Sequence, residues 1–110
     1  MPVTYPTPET EASGRTALLE QEESRWNVII FDDDEHSYAY VVEMMMVLFG
    51  MTPEEGFNIA YEVDHVGQAV VKTCGHEEAI EAHRRIISYG PDVRMAKSSG
   101  SMGCVIERAD

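Results

Sequence analysis

Regular apolar patterning begins at Trp26. The run Trp26-Asn27-Val28-Ile29-Ile30-Phe31 is β-branched and aromatic and is cut off by an acidic cluster, so it reads as a first strand. Both phases of its alternation are apolar toward the C-terminal end, which predicts cover on both faces there. Ser37 can cap a helix from about Tyr38 to Phe49, in which Val41, Met44, Met45 and Leu48 recur at i, i+3, i+4 and i+7 as one apolar stripe. Gly50 ends that helix. Thr52-Pro53-Glu54-Glu55 then combines an N-cap threonine, a proline at the first helical position and the glutamate of a capping box. A second helix is therefore expected to about Glu62, with Gly56, Ile59, Ala60 and Val63 on its apolar side. After Asp64-His65-Val66-Gly67, the run Ala69 to Thr73 reads as a second strand. Helical spacing returns from His76 to Tyr89 through Ala79, Ile80, His83, Ile86 and Ile87, and stops at Gly90-Pro91. A final strand from Met102 to Glu107 follows a turn region, Ser98 to Gly103, that is flexible by composition.

The element order is β-α-α-β-α-β, which predicts an α/β sandwich: a three-stranded antiparallel sheet with three helices on one face, over residues 26–109. Residues 1–25 are rich in Pro, Thr, Ser and Glu and read as a flexible N-terminal extension, with a short helical tendency from Thr16 to Glu23. No internal repeat is visible. With 110 residues the chain has length for one small domain and no second core.

Charge sharpens this picture. The chain carries 20 Asp and Glu against 8 Lys and Arg, a net charge of −12. Nucleic acid and anionic membrane are thereby poor partners, because affinity for phosphates rests on Lys and Arg. No window approaches the roughly 20 apolar residues that span a bilayer. The opening MPVTYPTPETEASG lacks the basic start and apolar core of a secretion signal, so a cytoplasmic location is expected. Cys74 and Cys104 lack Cys-x-x-Cys spacing, which indicates neither a zinc site nor a disulfide framework, and they read as small core residues. Residues 26–65 hold nine acids and no Lys or Arg, a block that attracts cations or simply forms a solvated acidic face.

The cluster Asp32-Asp33-Asp34-Glu35-His36 is the most conspicuous chemistry in the chain. As a metal site it offers hard oxygen ligands and one imidazole, but consecutive carboxylates on a turn cannot all converge, and no EF-hand spacing is present. As an acid/base pair it lacks a second partner at recognisable spacing, although Asp64 could approach it in the fold. It can equally cradle an ammonium group through charge-assisted hydrogen bonds, or be a polar loop bonding its own backbone. No dinucleotide or P-loop motif, Gly-x-Ser-x-Gly elbow or His-Glu-x-x-His motif occurs. His83 reads as a stripe-edge residue, Arg84 and Arg85 as a solvated face, and the Met44-Met45-Met46 run mainly as core.

Together these pieces resemble the ClpS adaptor family. The resemblance rests on the strand ending in consecutive Asp residues, then Tyr40-Val41-Val42-Glu43, Leu48-Phe49-Gly50-Met51-Thr52-Pro53-Glu54-Glu55, Glu62-Val63-Asp64, Gly67-Gln68-Ala69-Val70-Val71 and Cys104-Val105-Ile106-Glu107, in order from Trp26 to Ala109. It implies an adaptor, not an enzyme, that needs no cofactor. Such an adaptor binds a protein substrate through a free, bulky hydrophobic N-terminal residue and hands it to a AAA+ unfoldase, ClpA or ClpC, for degradation by ClpP. By the same resemblance Asp32, Asp33 and Asp64 meet the substrate's α-amine. Tyr38, Val41, Met44, Ala60, Val63 and Met102 form the hydrophobic pocket, and Glu77 faces the unfoldase. A monomer is expected. The chain departs from the family pattern at Asp32, where Asn is usual, at Asp64, where His is usual, and at Tyr38 and Ala60, where Met is usual. His65 sits one place beyond Asp64, and a one-residue slip would return an imidazole to the site. A ClpS-like binding or inhibitory module with altered specificity and no substrate delivery is the alternative; a carboxylate-based hydrolase is a remoter one.

Overall fold

A computed structural model describes residues 25–109. The expected N-terminal extension, including the helical tendency from Thr16 to Glu23, lies outside the described residues apart from Arg25. Six elements follow in the expected order: β1 (Trp26–Phe31), α1 (Tyr38–Phe49), α2 (Pro53–Val66), β2 (Gln68–Cys74), α3 (His76–Ile87) and β3 (Cys104–Arg108). The strands form one antiparallel sheet in the order β2-β1-β3. Being central, β1 buries Val28 and Ile30 beneath the helices.

Ile29 points to the face without helices and is nevertheless buried, 3% exposed. Among the described residues no second layer covers it, whereas the sequence pattern implied cover on both faces. Its cross-strand partners Val70 and Val105 flank it instead, each remaining 40% exposed. The β1–β2 register shifts between Val28 and Ile29, which leaves Val71 without a partner opposite it. This bulge changes the phase of β2, so Ala69 and Val71 and then Cys74 all face the core.

Local chemistry sets the helix starts. Ser37 Oγ accepts from the Tyr40 amide at 3.2 Å and begins α1. Thr52 and Glu55 complete a reciprocal capping box, with Thr52 Oγ1 accepting the Glu55 amide at 3.1 Å and Glu55 Oε1 the Thr52 amide at 2.8 Å. Gly56 then lets α2 approach α1 closely. A Cβ at that position would lie 3.1 Å from both Cα and the carbonyl oxygen of Val42.

Several boundaries differ from the sequence expectation. The second helix continues past Glu62 to Val66 and ends at Gly67, whose φ of 102° suits glycine and carries the chain into β2. The third helix stops at Ile87, not Tyr89. It seats Ala79, Ala82 and Ile86 on the sheet while Ile80 and Ile87, one position further round, are 48% and 50% exposed. Two alternative stripes fit that helix, and the one with small residues gives the closer seat. The segment from Ser98 to Gly103, expected to be flexible, is tied down. Ser98 Oγ accepts the Asp92 amide at 2.8 Å, Ser101 Oγ accepts the Gly90 amide at 2.7 Å, and the Gly100 carbonyl lies 2.7 Å from His36 Nε2. This leaves Met102 buried just ahead of β3, which begins at Cys104.

Candidate functional site

A cleft of about 90 Å³ opens where the β1–α1 turn, the N-terminal half of α1 and the C-terminal half of α2 meet the segment before β3. Asp32, Asp33, His36, Ser37, Tyr38, Val41, Ala60, Val63, Asp64 and Met102 line it. Of the nine positions assigned by resemblance to amine and pocket, eight therefore share one wall. Met44 does not. It lies one turn beyond Val41 on α1 and is fully buried in the core, so it backs the cleft wall and is not part of its surface. Glu77 stands in the exposed first turn of α3, outside this cleft.

The acidic rim has three differently held members. Asp32 follows directly on β1, its amide donating to the Gly67 carbonyl at 3.0 Å, and no described side chain bonds its carboxylate. Asp33 accepts the Glu35 amide at 2.9 Å and is also bonded by His36 Nδ1, 2.9 and 2.8 Å from its two oxygens. Asp64, 26 residues from Tyr38 in sequence, accepts the Tyr38 hydroxyl at 2.7 Å. That bond, with partial burial and the carboxylate charge beside it, pushes the Tyr38 phenol up to about 12. Asp34 points elsewhere and pairs with Lys97 at 3.0 Å, which holds its carboxyl below the ordinary value. None of the lining residues is Lys or Arg.

The continuation of α2 to Val66 settles which residue of the Asp64-His65 pair faces the cleft. Successive helical residues turn by about 100°, so Asp64 falls in line with Ala60, one turn earlier, whereas His65 is rotated away. The His65 ring stacks on Tyr61 with centroids 3.9 Å apart and its Nδ1–H donates to the Tyr61 carbonyl at 2.9 Å. Tyr38 lies across the mouth. Its ring is 5.5 Å from Phe57 and its hydroxyl is at Asp64, so it spans the two turns of α2 that contain Ala60. The large side chain on α1 thus faces a small one on α2.

Sequence reasoning did not find Asp92. It is 1% exposed and fifty-five residues from its main partner. Its carboxylate accepts the Ser37 hydroxyl at 2.6 Å, the Ser37 amide at 2.7 Å, the Arg94 amide at 3.0 Å and the Arg94 guanidinium at 3.2 Å. Burial works to raise its pKa, and these hydrogen bonds, led by the Ser37 hydroxyl, outweigh burial and bring the group down to about 2. Asp92 thereby clamps the start of α1, from which Tyr38 projects. An acid after Gly90-Pro91 carries no local signal of this role. The phrase Asp-x-x-His-Ser was visible, but the burial of His36, whose side chain is 3% exposed, was not.

A larger groove of about 200 Å³ lies between the C-terminal end of α1 and α3, lined by Leu48, Phe49, Lys72, Glu78, Glu81, Ala82 and Arg85. Its charges are already engaged: Lys72 pairs with Glu78 at 3.0 Å, Glu81 with Arg84, and Arg85 donates to the Leu48 carbonyl at 3.2 Å. The smaller cleft is the one that joins carboxylates without a Lys or Arg among them to an apolar wall. Among the described residues no group of three or more His, Cys, Asp and Glu is arranged to hold a metal ion. No described helix is long and apolar enough to cross a membrane.

Comparisons with known proteins agree with one another. The model of the family described as ATP-dependent Clp protease adaptor protein ClpS matches residues 21–92. The ClpS adapter protein of Deinococcus radiodurans is 35% identical over 71 residues, which make up 61% of this chain and 63% of that protein. The chain therefore spans less than two thirds of that relative. The ClpS adapter protein of Nocardia farcinica is 28% identical over 80 residues, 73% of this chain and 76% of that one. Among solved structures, Agrobacterium tumefaciens ClpS2 bound to L-phenylalaninamide matches with a TM-score of 0.66 and 19% identity, over 77% of this chain and 96% of that chain. At that identity the likeness concerns the fold.

Proposed function

Because the chain belongs to the ClpS family of ATP-dependent Clp protease adaptor proteins, we propose that it binds protein substrates by a free N-terminal hydrophobic residue and delivers them to a Clp AAA+ unfoldase. In this reading the substrate's α-ammonium sits among Asp32, Asp33 and Asp64. Its first side chain enters between Tyr38, Val41, Ala60, Val63 and Met102. The unfoldase, of the ClpA or ClpC type, meets the exposed first turn of α3 around Glu77, and the adaptor works as a monomer in the cytoplasm. No bond is made or broken by the chain itself.

The observation that carries this reading is the junction of three carboxylates with an apolar wall in one cleft that lacks Lys and Arg. A carboxylate rim with no Lys or Arg of its own favours a bound ammonium, and the wall behind it favours an apolar group attached to that ammonium. The phenylalaninamide bound by the Agrobacterium protein is a ligand of this kind, an amine beside an aromatic side chain. Asp32 and Asp64 replace neutral hydrogen-bonding groups of the family pattern with carboxylates, which retains acceptors and adds Coulomb attraction. Burying a Leu-sized side chain contributes about 1.5–3 kcal/mol, and charge-assisted hydrogen bonds about as much again. With backbone contacts added, the total approaches the roughly 8 kcal/mol of a micromolar complex.

The test is a fluorescence-anisotropy panel of peptides differing in the first residue, each with a free or an acetylated N-terminus. Free Leu, Phe, Tyr or Trp peptides are expected to bind and their acetylated copies to lose at least about tenfold. Equal binding of both forms would sink the amine cradle. Degradation of a model substrate by Clp protease, with and without the adaptor, tests delivery separately.

A further inference from the structure

The side of α2 next to the cleft is aromatic and half exposed. Phe57, Tyr61 and His65 stand at i, i+4 and i+8, about one turn apart on the same side of the helix. The Phe57 and Tyr61 centroids are 6.4 Å apart with planes inclined by 32°, and the Tyr61 and His65 rings stack at 3.9 Å. Phe57 is 49% exposed and Tyr61 51%. The row is held in place. His65, bonded through Nδ1 to the Tyr61 carbonyl, backs the Tyr61 ring, and Phe57 leans on Tyr38 at 5.5 Å. It also joins the cleft without a break, because Tyr38 meets Phe57 with its ring and Asp64 with its hydroxyl.

Charge selects what would lie on this row. The helix carries Glu54, Glu55, Glu62 and Asp64 and no Lys or Arg. Among the described residues the ion pairs of Lys and Arg go to Asp34, Glu43, Glu78, Glu81 and Asp92, so none reaches α2. Glu54 precedes Phe57 by three positions and Asp64 follows Tyr61 by three, which places a carboxylate on the same side of the helix as each ring. Ring faces flanked by carboxylates without Lys or Arg partners attract a cation. A planar guanidinium suits them better than an ammonium, because it can stack on a ring as well as carry charge. Reach is no obstacle. With the first side chain between Val41 and Ala60, an extended peptide advances about 3.3–3.6 Å per residue, and Tyr61 is the next residue of α2 after Ala60. A long side chain at the second or third position therefore meets the row.

We propose that Phe57 and Tyr61, with His65 behind them, form a second recognition surface for the substrate, which takes an arginine at the second or third position after the hydrophobic N-terminal residue. The inference rests on the amine-cradle reading above and adds to it a preference beyond the first residue. Phe57 and Tyr61 supply the ring faces, and His65 is a positioning residue that holds Tyr61.

The test extends the anisotropy panel to Leu peptides with Arg, Lys or Ala at the second and, separately, the third position, each with a free or an acetylated N-terminus. In wild type a free Arg peptide is expected to bind about two- to fivefold tighter than its Lys counterpart at one position or both. Lys carries the same charge, so general attraction to an acidic protein cancels in that ratio. Tyr61→Leu keeps an apolar, helix-forming side chain without a ring and is expected to remove most of the Arg advantage. Tyr61→Phe keeps the ring and is expected to retain it, with folding of each variant checked by circular dichroism. Equal binding of Arg and Lys peptides at both positions in wild type would overturn the aromatic row while leaving the amine cradle standing. An Arg advantage that survives in both Tyr61→Leu and Phe57→Leu, or one that is lost in Tyr61→Phe, would do the same. Equal wild-type binding of free and acetylated peptides would overturn the amine cradle and, with it, this inference.

Discussion

Replacing Asp92 by Asn removes one charge from the start of α1 with almost no change of shape. The wild-type carboxylate receives four hydrogen bonds, from the Ser37 hydroxyl and amide and from the Arg94 amide and guanidinium. In Asn one of the two oxygens becomes an NH₂, which cannot accept. At least one buried donor is then orphaned, at a cost of about 1–3 kcal/mol. The pH linkage gives a second route to the same size. Moving the group from 3.8 to about 2 corresponds to about 2 kcal/mol of stability. Its sign follows from the depressed value: the stabilisation is complete above about pH 4 and is lost as pH falls toward 2. The expectation is that Asp92→Asn lowers stability by roughly 2–3 kcal/mol at pH 7, or about 10–20 °C in Tm for a domain of this size. The gap should narrow progressively between pH 4 and pH 2. Thermal and urea denaturation followed by circular dichroism, at pH 7 and at intervals down to pH 2, measures both. A gap below about 0.5 kcal/mol at pH 7, or one that stays constant to pH 2, refutes the clamp.

Three further predictions concern packing and the cleft. Gly56→Ala places a Cβ 3.1 Å from Val42 backbone atoms, which must shift, so stability is expected to fall by about 1–3 kcal/mol with helical content retained; an unchanged urea midpoint would show that α1 and α2 do not meet there. Thr52→Ala dismantles the capping box and is expected to cost about 1 kcal/mol, read from the same denaturation curves, with a neutral result counting against it. The cleft of about 90 Å³ is smaller than the roughly 150 Å³ that admits a benzene ring, so an aromatic first residue must displace Tyr38. Tyr38→Ala is therefore expected to raise the affinity for Phe peptides relative to Leu peptides by about threefold or more, and an unaltered ratio in the anisotropy assay would remove Tyr38 from the mouth of the cleft.

Much of the fold was legible because its signals are short. Ser37 and Thr52-Pro53-Glu54-Glu55 begin helices through bonds that reach no more than three residues, and those bonds form as the spacing requires. The misread stretches have a different cause. The third helix offers two apolar lines, and only the sheet beneath it favours Ala82 over Ile80 and Ile87. Serines and glycines between Ser98 and Gly103 look flexible until Asp92, Gly90 and His36 are brought alongside. Spacing put Met44 on the core stripe and the resemblance put it in the pocket; it is fully buried in the core and does not line the cleft.

The amino-acid sequence by itself determined the order of strands and helices, where each helix starts, and a block of nine acids without a base. These depend on periodicity and on hydrogen bonds between near neighbours. The family resemblance had already named Asp32, Asp33 and Asp64 together; tertiary structure alone decided that Asp64 and not His65 faces the cleft, and that His36 and Asp92 are buried beside it and tied to distant parts of the chain. Those arrangements are made by bonds spanning 26, 55 and 64 residues. Groups so far apart meet only after the sheet and helices have packed, and no local pattern in the chain records the meeting.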